Sequence, residues 1–189
     1  MDFLAQMKKK AQARQATIVL PESKDERILQ ATSRILREKI ARIILLGNVE
    51  KIKEQAKSLS LDLSQAQMID PQVDPQADIY IKKYYEKRKS KGMTEQAARG
   101  LLLTNPIFYG AMLVAEGVAD GMVAGITAPT ADTFRAAYHC VGIKENVNIV
   151  SSFFVMILPE GNASIGEAGV LFMSDCGVVP DPNAQELSD

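Results

Sequence analysis

TIVLPESKDERILQATSRILREKIARIILLGN, running from Thr17 to Asn48, decides the fold. Its opening, Thr17 to Pro21, is a β-rich apolar run stopped by proline, the mark of a short buried strand. Ser23-Lys24-Asp25-Glu26 has the spacing of a capping box, in which the serine accepts from a first-turn amide and the glutamate reaches back. Ile28, Leu29, Ala31, Ile35 and Leu36 recur at helical spacing and define one buried stripe. Arg42 to Gly47 is a second apolar strand, and Asn48 is placed to cap another helix through about Ser58. Strand, helix and strand in one segment make a βαβ unit.

The alternation continues outward. On the N-terminal side, Phe3, Leu4, Met7 and Ala11 repeat at helical spacing beside lysines, predicting a short amphipathic helix. On the other side, a weak strand near Gln67 to Ile69 precedes the turn signal Asp70-Pro71. Asp74 is expected to cap a helix with Pro75 at its first position, ending near Lys91-Gly92. Thr94 caps a short helix, and Asn105-Pro106 opens another that runs to about Glu116. GMVAG, Gly121 to Gly125, is a third clear strand, and a helix runs from the Thr130 region to about Cys140. Such a pattern implies an α/β fold, a mostly parallel sheet with helices on both faces. After Gly142 the pattern changes to two apolar runs, Asn148 to Glu160 and Ala168 to Cys176, joined by a Gly-rich turn. The expected division is a domain over 1–142 and the start of a second over 143–189. The last residues look like an interrupted helix start, so the chain is expected to be cut short.

Composition narrows the function classes. The 189 residues are 47% hydrophobic and 24% charged, ordinary values that exclude disorder, collagen-like repeats and a Cys-stapled scaffold. Twenty-two Lys+Arg against 23 Asp+Glu give a net charge of −1. No global field favours nucleic acid or an anionic membrane, so any anion site must be built locally. No apolar run approaches the roughly 18 residues of a membrane span. The N-terminal segment lacks a secretory h-region, and the expected location is the cytoplasm. Cys140 and Cys176 are too far apart for a CxxC redox or zinc pair, and no ligand cluster calls for a metal.

Nucleotide motifs fail. No GxGxxG occurs, and Gly161 to Gly166 has Walker A spacing but is followed by Glu167-Ala168 rather than Lys-Ser/Thr. Position is more informative, because ligands of open α/β sheets gather at the carboxyl ends of strands. Arg27 stands in the first turn of a helix, against the helix dipole, so Asp25 and Glu26 or an anionic ligand must compensate it. Arg135 follows the loop ITAPT, Ile126 to Thr130, where helix amides and the Thr127, Thr130 and Thr133 hydroxyls either cap the helix or hold a phosphate. Arg88 lies in a last helical turn, stabilising there with or without a ligand. Lys87, Lys89 and Lys91 beside it form a solvated face or the rim of a polyanion site. His139 and Cys140 invite a nucleophile reading, but adjacent helix positions point about 100° apart, so structural roles are expected. Cys176 is expected to pack in the core.

The blocks IVLPESKDERILQAT, ARIILLGN, YYEKRKSKGMT, FYGAMLVAEGVADGMVAG, TADTFRAA, VSSFFVMILP and LFMSDCGVVPDPNAQEL, in this order, resemble the phosphate acetyl/butyryl transferase family. KGMT and GMVAG…TADTFR are more similar to its acetyl branch than to its butyryl branch. The resemblance implies interconversion of acetyl-CoA and phosphate with CoA and acetyl phosphate. It implies a three-layer α/β/α fold similar to isocitrate and isopropylmalate dehydrogenases, a cleft between two domains, and a homodimer. Coenzyme A enters as substrate, and no metal, nucleic acid or membrane is required. By the same resemblance Arg88 binds CoA, Arg135 sits at the CoA and acyl phosphate site, and Arg27 is a further cleft arginine. The family's serine, arginine and aspartate that handle the thiol lie in a C-terminal segment beyond Asp189. The expectation is therefore a truncated or fragmentary form, inactive or nearly so; the alternatives are a phosphate butyryltransferase or a non-catalytic CoA-binding or dimerisation module.

Overall fold

Four short apolar runs pair into one parallel sheet. They are β1 (Thr17–Leu20), β2 (Arg42–Leu46), β3 (Gln67–Ile69) and β4 (Gly121–Met122), in the order β3-β2-β1-β4. The computed structural model describes residues 3–145, 150, 152–159, 161–162, 164–174 and 183–185. Contacts divide the chain into two units, Lys8–Gly142 and Ile143–Asp189 with Met1–Met7.

In the larger unit, successive side chains of β2 point to opposite faces. Ile43 and Leu45 pack with Leu20 against α2 (Glu26–Arg37) and α3 (Val49–Ser58). Ile44 and Leu46 pack with Val19 against α4 (Ala77–Arg88), α5 (Glu95–Thr104), α6 (Pro106–Ala115) and α7 (Thr130–Cys140). Helices cover both faces, as the strand–helix alternation requires. α6 is buried from Ile107 through Leu113 and forms the centre of its layer. Gly110 lets it lie on the sheet: a Cβ there would stand 2.8 Å from Met122 Sδ and 3.1 Å from Val19 Cγ1.

Several local expectations change under tertiary contact. Ser23 does not cap α2; Asp25 does, accepting from the Arg27 amide, while the Ser23 hydroxyl donates to the Leu46 carbonyl at 2.5 Å. The stripe of α2 is Ile28, Leu29 and Thr32, with Ile35 and Leu36 half-buried against the same core and Ala31 exposed. Thr32 is accommodated because its hydroxyl donates to the Ile28 carbonyl at 2.8 Å. Asp74 does not cap α4 either. One oxygen accepts from the Gln76 amide and the other from the buried Tyr109 hydroxyl, so the helix begins at Ala77. A 3-10 turn, Lys89–Lys91, and left-handed Gly92 finish it. Asn48, Thr94 and Asn105 cap α3, α5 and α6 as their sequence positions predict. α1 (Phe3–Arg14) buries no residue; Gln12 and Gln15 donate to the Glu38 and Lys39 carbonyls, and Lys8 pairs with Glu38.

In the smaller unit, β5 (Phe153–Ile157) and β6 (Val170–Ser174) form an antiparallel hairpin with Phe153 opposite Ser174. Phe153, Phe154, Met156, Ile157, Phe172 and Met173 are all exposed. Cys176 lies outside the described residues. No single described helix is long and apolar enough to cross a membrane; the α5–α6 pair reaches that length only across a 103° bend.

The close approach of α6 gives a direct test. Gly110→Val should lower stability by about 1–3 kcal/mol in urea denaturation, although valine is the better helix former, because the sheet side chains must move.

Candidate functional site

Strand order places the crevice. The chain runs from β1 outward to β2 and β3, then returns through α4, α5 and α6 to β4 on the other side of β1. The direction of winding reverses between β1 and β4, and sheets of this kind hold ligands beyond the carboxyl ends of the strands at such a point. Here that point is occupied by a side chain. Glu22, two residues past β1 and 7% exposed, accepts from the backbone amides of Gly125, Ile126, Thr127 and Ala128 at 2.7–3.0 Å. The Thr127 hydroxyl donates to the same carboxylate at 2.7 Å. Burial alone would raise its pKa, but the Thr127 hydroxyl and the amides of Ile126, Thr127 and Ala128 outweigh it and hold the carboxyl at about 2.

This contact explains why β4 is shorter than GMVAG. The ladder to β1 ends after the Val123 amide, which donates to Val19. From Gly125, at φ 105°, the amides turn away to the carboxylate. Ser23, next to Glu22, ties the end of β2 through Leu46. Gly47 keeps that junction tight, since a Cβ there would meet the Ser23 oxygen at 2.9 Å. The Thr127 hydroxyl, considered from sequence as part of a phosphate cradle with the helix amides, is thus already paired with an internal anion, as are the loop amides before the helix.

The candidate arginines lie on helices of both layers. Arg27, on α2, is 62% exposed and grips Asp25 with two hydrogen bonds, Nε to Oδ1 at 2.9 Å and Nη2 to Oδ2 at 2.7 Å. Asp25 compensates it most, and the charge of Glu26 adds to this. Arg88 and Arg135, on α4 and α7, converge electrostatically on His139: burial first, then the charges of Arg88 and Arg135, push the imidazole pKa down. Arg135 is 56% exposed and pairs with Asp132 one turn earlier at 2.8 Å. Arg88 Nε and Thr133 Oγ1 are buried with no hydrogen-bond partner. Lys89 is held by Glu86, and Lys87 donates to the Cys140 carbonyl.

His139 does not activate Cys140. Its Nδ1 lies 3.4 Å from the Tyr84 hydroxyl, and its ring packs at an angle against Phe108 and Tyr138. The Cys140 thiol is fully buried and points at the Phe108 carbonyl, and burial pushes its pKa up to about 12. A thiol so protonated is a core residue, as its helix position implied. Among the described residues no group of three or more metal-ligating side chains gathers. Sequence reasoning missed Glu22 as a functional position, and the one available signal was weak: an acidic residue directly after the proline that ends a strand.

A model of the phosphate acetyl/butaryl transferase family matches residues 2–189. The phosphate acetyltransferase of Thermoanaerobacterium thermosaccharolyticum is 42% identical over 188 residues, covering 100% of this chain and 56% of that protein. That of Acetivibrio thermocellus is 41% identical over 189 residues, covering 100% and 55%. Among solved structures, a phosphotransacetylase from Streptococcus pyogenes superposes with a TM-score of 0.88 at 30% identity, over 100% of this chain and 56% of that one. A phosphotransacetylase from Staphylococcus aureus gives 0.82 at 32% identity, over 98% and 53%. The chain spans about half the length of the relatives it matches.

Two outcomes follow from the site's electrostatics. With Cys176 replaced by serine, a thiol reagent such as DTNB should label Cys140 only after denaturation. Glu22 has a folded pKa of about 2 below an ordinary 4.5, so its contribution is complete above pH 4.5 and fades as pH falls toward 2. That contribution is on the order of 3 kcal/mol. Urea melts between pH 7 and pH 3 should show the wild type losing this advantage over Glu22→Gln only below pH 4.5.

Proposed function

Since the chain belongs to the phosphate acetyl/butaryl transferase family, we propose that it supplies the anion-gripping part of an acyltransferase. The reaction interconverts acetyl-CoA and phosphate with CoA and acetyl phosphate. The CoA thiolate attacks the acyl carbonyl, a C–S bond forms, and the C–O bond to phosphate breaks with its electron pair leaving on phosphate. Both reactants are polyanions, so the site must neutralise their repulsion and the charge that develops on the leaving oxygen.

The observation that carries this reading is the pair of guanidinium groups from α4 and α7 around His139. In a chain with a net charge of −1, two arginines on neighbouring helices beside an imidazole whose protonation they oppose form a local positive field. Arg88, whose Nε is buried without a partner, takes a CoA phosphate; Arg135, exposed and leaning on Asp132, takes the phosphate or acyl phosphate. Arg27 is a further cation at the strand-end rim. The thiol-handling serine, arginine and aspartate implied by the resemblance belong to the half of the relatives outside the match. This chain's residues are therefore assigned to binding. Family membership also supports a homodimer, a cytoplasmic location and an isocitrate dehydrogenase-like architecture. The apolar, exposed β5–β6 hairpin supports the division into a first domain, 1–142, and the start of a second, 143–189.

Calorimetry with CoA and with acetyl phosphate tests the assignment. Arg135→Ala and Arg88→Ala should each weaken binding by about tenfold or more, the scale of a charged hydrogen bond. Lys89→Ala should change it less than twofold, as roughly expected for an exposed pair. Equal effects of Arg135→Ala and Lys89→Ala would remove Arg135 from the site. Comparing acetyl- with butyryl-CoA in the same titration reads the acyl preference.

A further inference from the structure

We propose that Glu22 is a positioning residue for the anion site: its carboxylate anchors the loop that sets α7, and through α7 it sets Arg135. The inference rests on the reading of Arg135 as a phosphate ligand and adds the element that holds it. α7 begins at Thr130 after Pro129, which offers no side-chain cap. Its first turn is closed only by its own backbone, with the Asp132 and Thr133 amides donating to Pro129. The helix therefore takes its entry angle from the residues before it. Those residues, Gly125 to Ala128, send all four of their amides and the Thr127 hydroxyl to one carboxylate.

Glu22 itself has little freedom. Pro21 fixes the chain on one side of it, and Ser23 on the other is bonded to β2. The order imposed on the loop is thus that of the sheet. A neutral side chain of the same length cannot serve all five donors, because an amide offers one acceptor oxygen and brings two donors of its own. Charge and not shape is what the loop requires. An ordinary core contact would be replaced with little change by an isostere; this one would not.

His139 is the only histidine in the chain, so its ring signals report on α7 without assignment. It is faced by Tyr84 and Arg88 from α4, Phe108 from α6, and Arg135 and Tyr138 from its own helix. NMR titration of His139 is measured in wild type, Glu22→Gln, Arg135→Ala and the double variant, together with CoA affinity. Glu22→Gln should move the His139 titration upward, because a displaced α7 carries the ring away from Tyr84 and Arg88 on α4 and from Phe108 on α6, and should do so in the Arg135→Ala background as well. CoA binding should weaken several-fold in Glu22→Gln and no further in the double variant. Thr127→Val, which removes one of the five hydrogen bonds and keeps the charge, should shift His139 in the same direction by less; it serves if Glu22→Gln does not fold. A His139 titration unchanged by Glu22→Gln or Thr127→Val, or losses of CoA affinity that simply add in the Glu22→Gln, Arg135→Ala double variant, would overturn the inference. If His139 moves as expected while Arg135→Ala leaves CoA affinity intact, the positioning role stands and the functional reading is what fails.

Discussion

A single buried carboxylate joins the two directions in which this sheet is wound. Glu22 leaves the end of β1 and collects four amides that the chain presents only after it has built α3, α4, α5 and α6 and returned as β4. Ser23 draws in the end of β2 from the other side. Loop amides at a strand end must find partners, and each one left buried and unpaired would cost about 1–3 kcal/mol. Glu22 satisfies a cluster of them at once, and their number is why it stays charged despite burial. The carboxyl ends of three strands are fixed relative to one another by two adjacent side chains.

How much of this was legible depends on how local each interaction is. β1 and β2 could be read because their apolar runs are bounded by Pro21 and Gly47. The caps Asn48, Thr94 and Asn105 could be read because donor and acceptor lie within three residues. The resemblance to the acyltransferase family was legible too, carried by ordered blocks over the whole chain. Ser23 was not, since a capping hydroxyl and a tertiary one look the same in sequence and Leu46 is 23 residues away. Asp74 misled for the same reason: its second oxygen belongs to Tyr109, 35 residues on. Glu22 was the hardest case. Its partners lie 103–106 residues later, and an acidic residue after a strand is ordinarily solvated.

The candidate site follows the same rule. Arg88 and Arg135 could be named from their positions in helices, but their common neighbour could not. His139 next to Cys140 drew attention to a pairing that helix geometry forbids. The contacts that matter for the imidazole come from α4 and α6, through Tyr84 and Phe108. Arg27 shows the opposite outcome. The strain of a cation at a helix N-terminus was visible in sequence, and so was its relief, because Asp25 is two residues away.

Filling the switch point with Glu22 has a consequence for ligand chemistry. Folds that bind phosphate on loop amides leave those amides unpaired and use glycines to bring them close. Here the amides of Gly125 to Ala128 are already committed, and a fixed negative charge stands where a phosphate would otherwise sit. An anionic ligand is repelled from that crevice and must be held by side chains instead. The overall charge of −1 gives no assistance at long range, so the cations have to be placed close to the ligand and held there. Under the proposed assignment, arginines on α4 and α7 meet that need: a guanidinium carries its charge at any physiological pH and brings several donors in a fixed plane. The same carboxylate that denies the loop to phosphate orders the path into α7, which under that assignment makes exclusion from one position and binding at the next two effects of one residue.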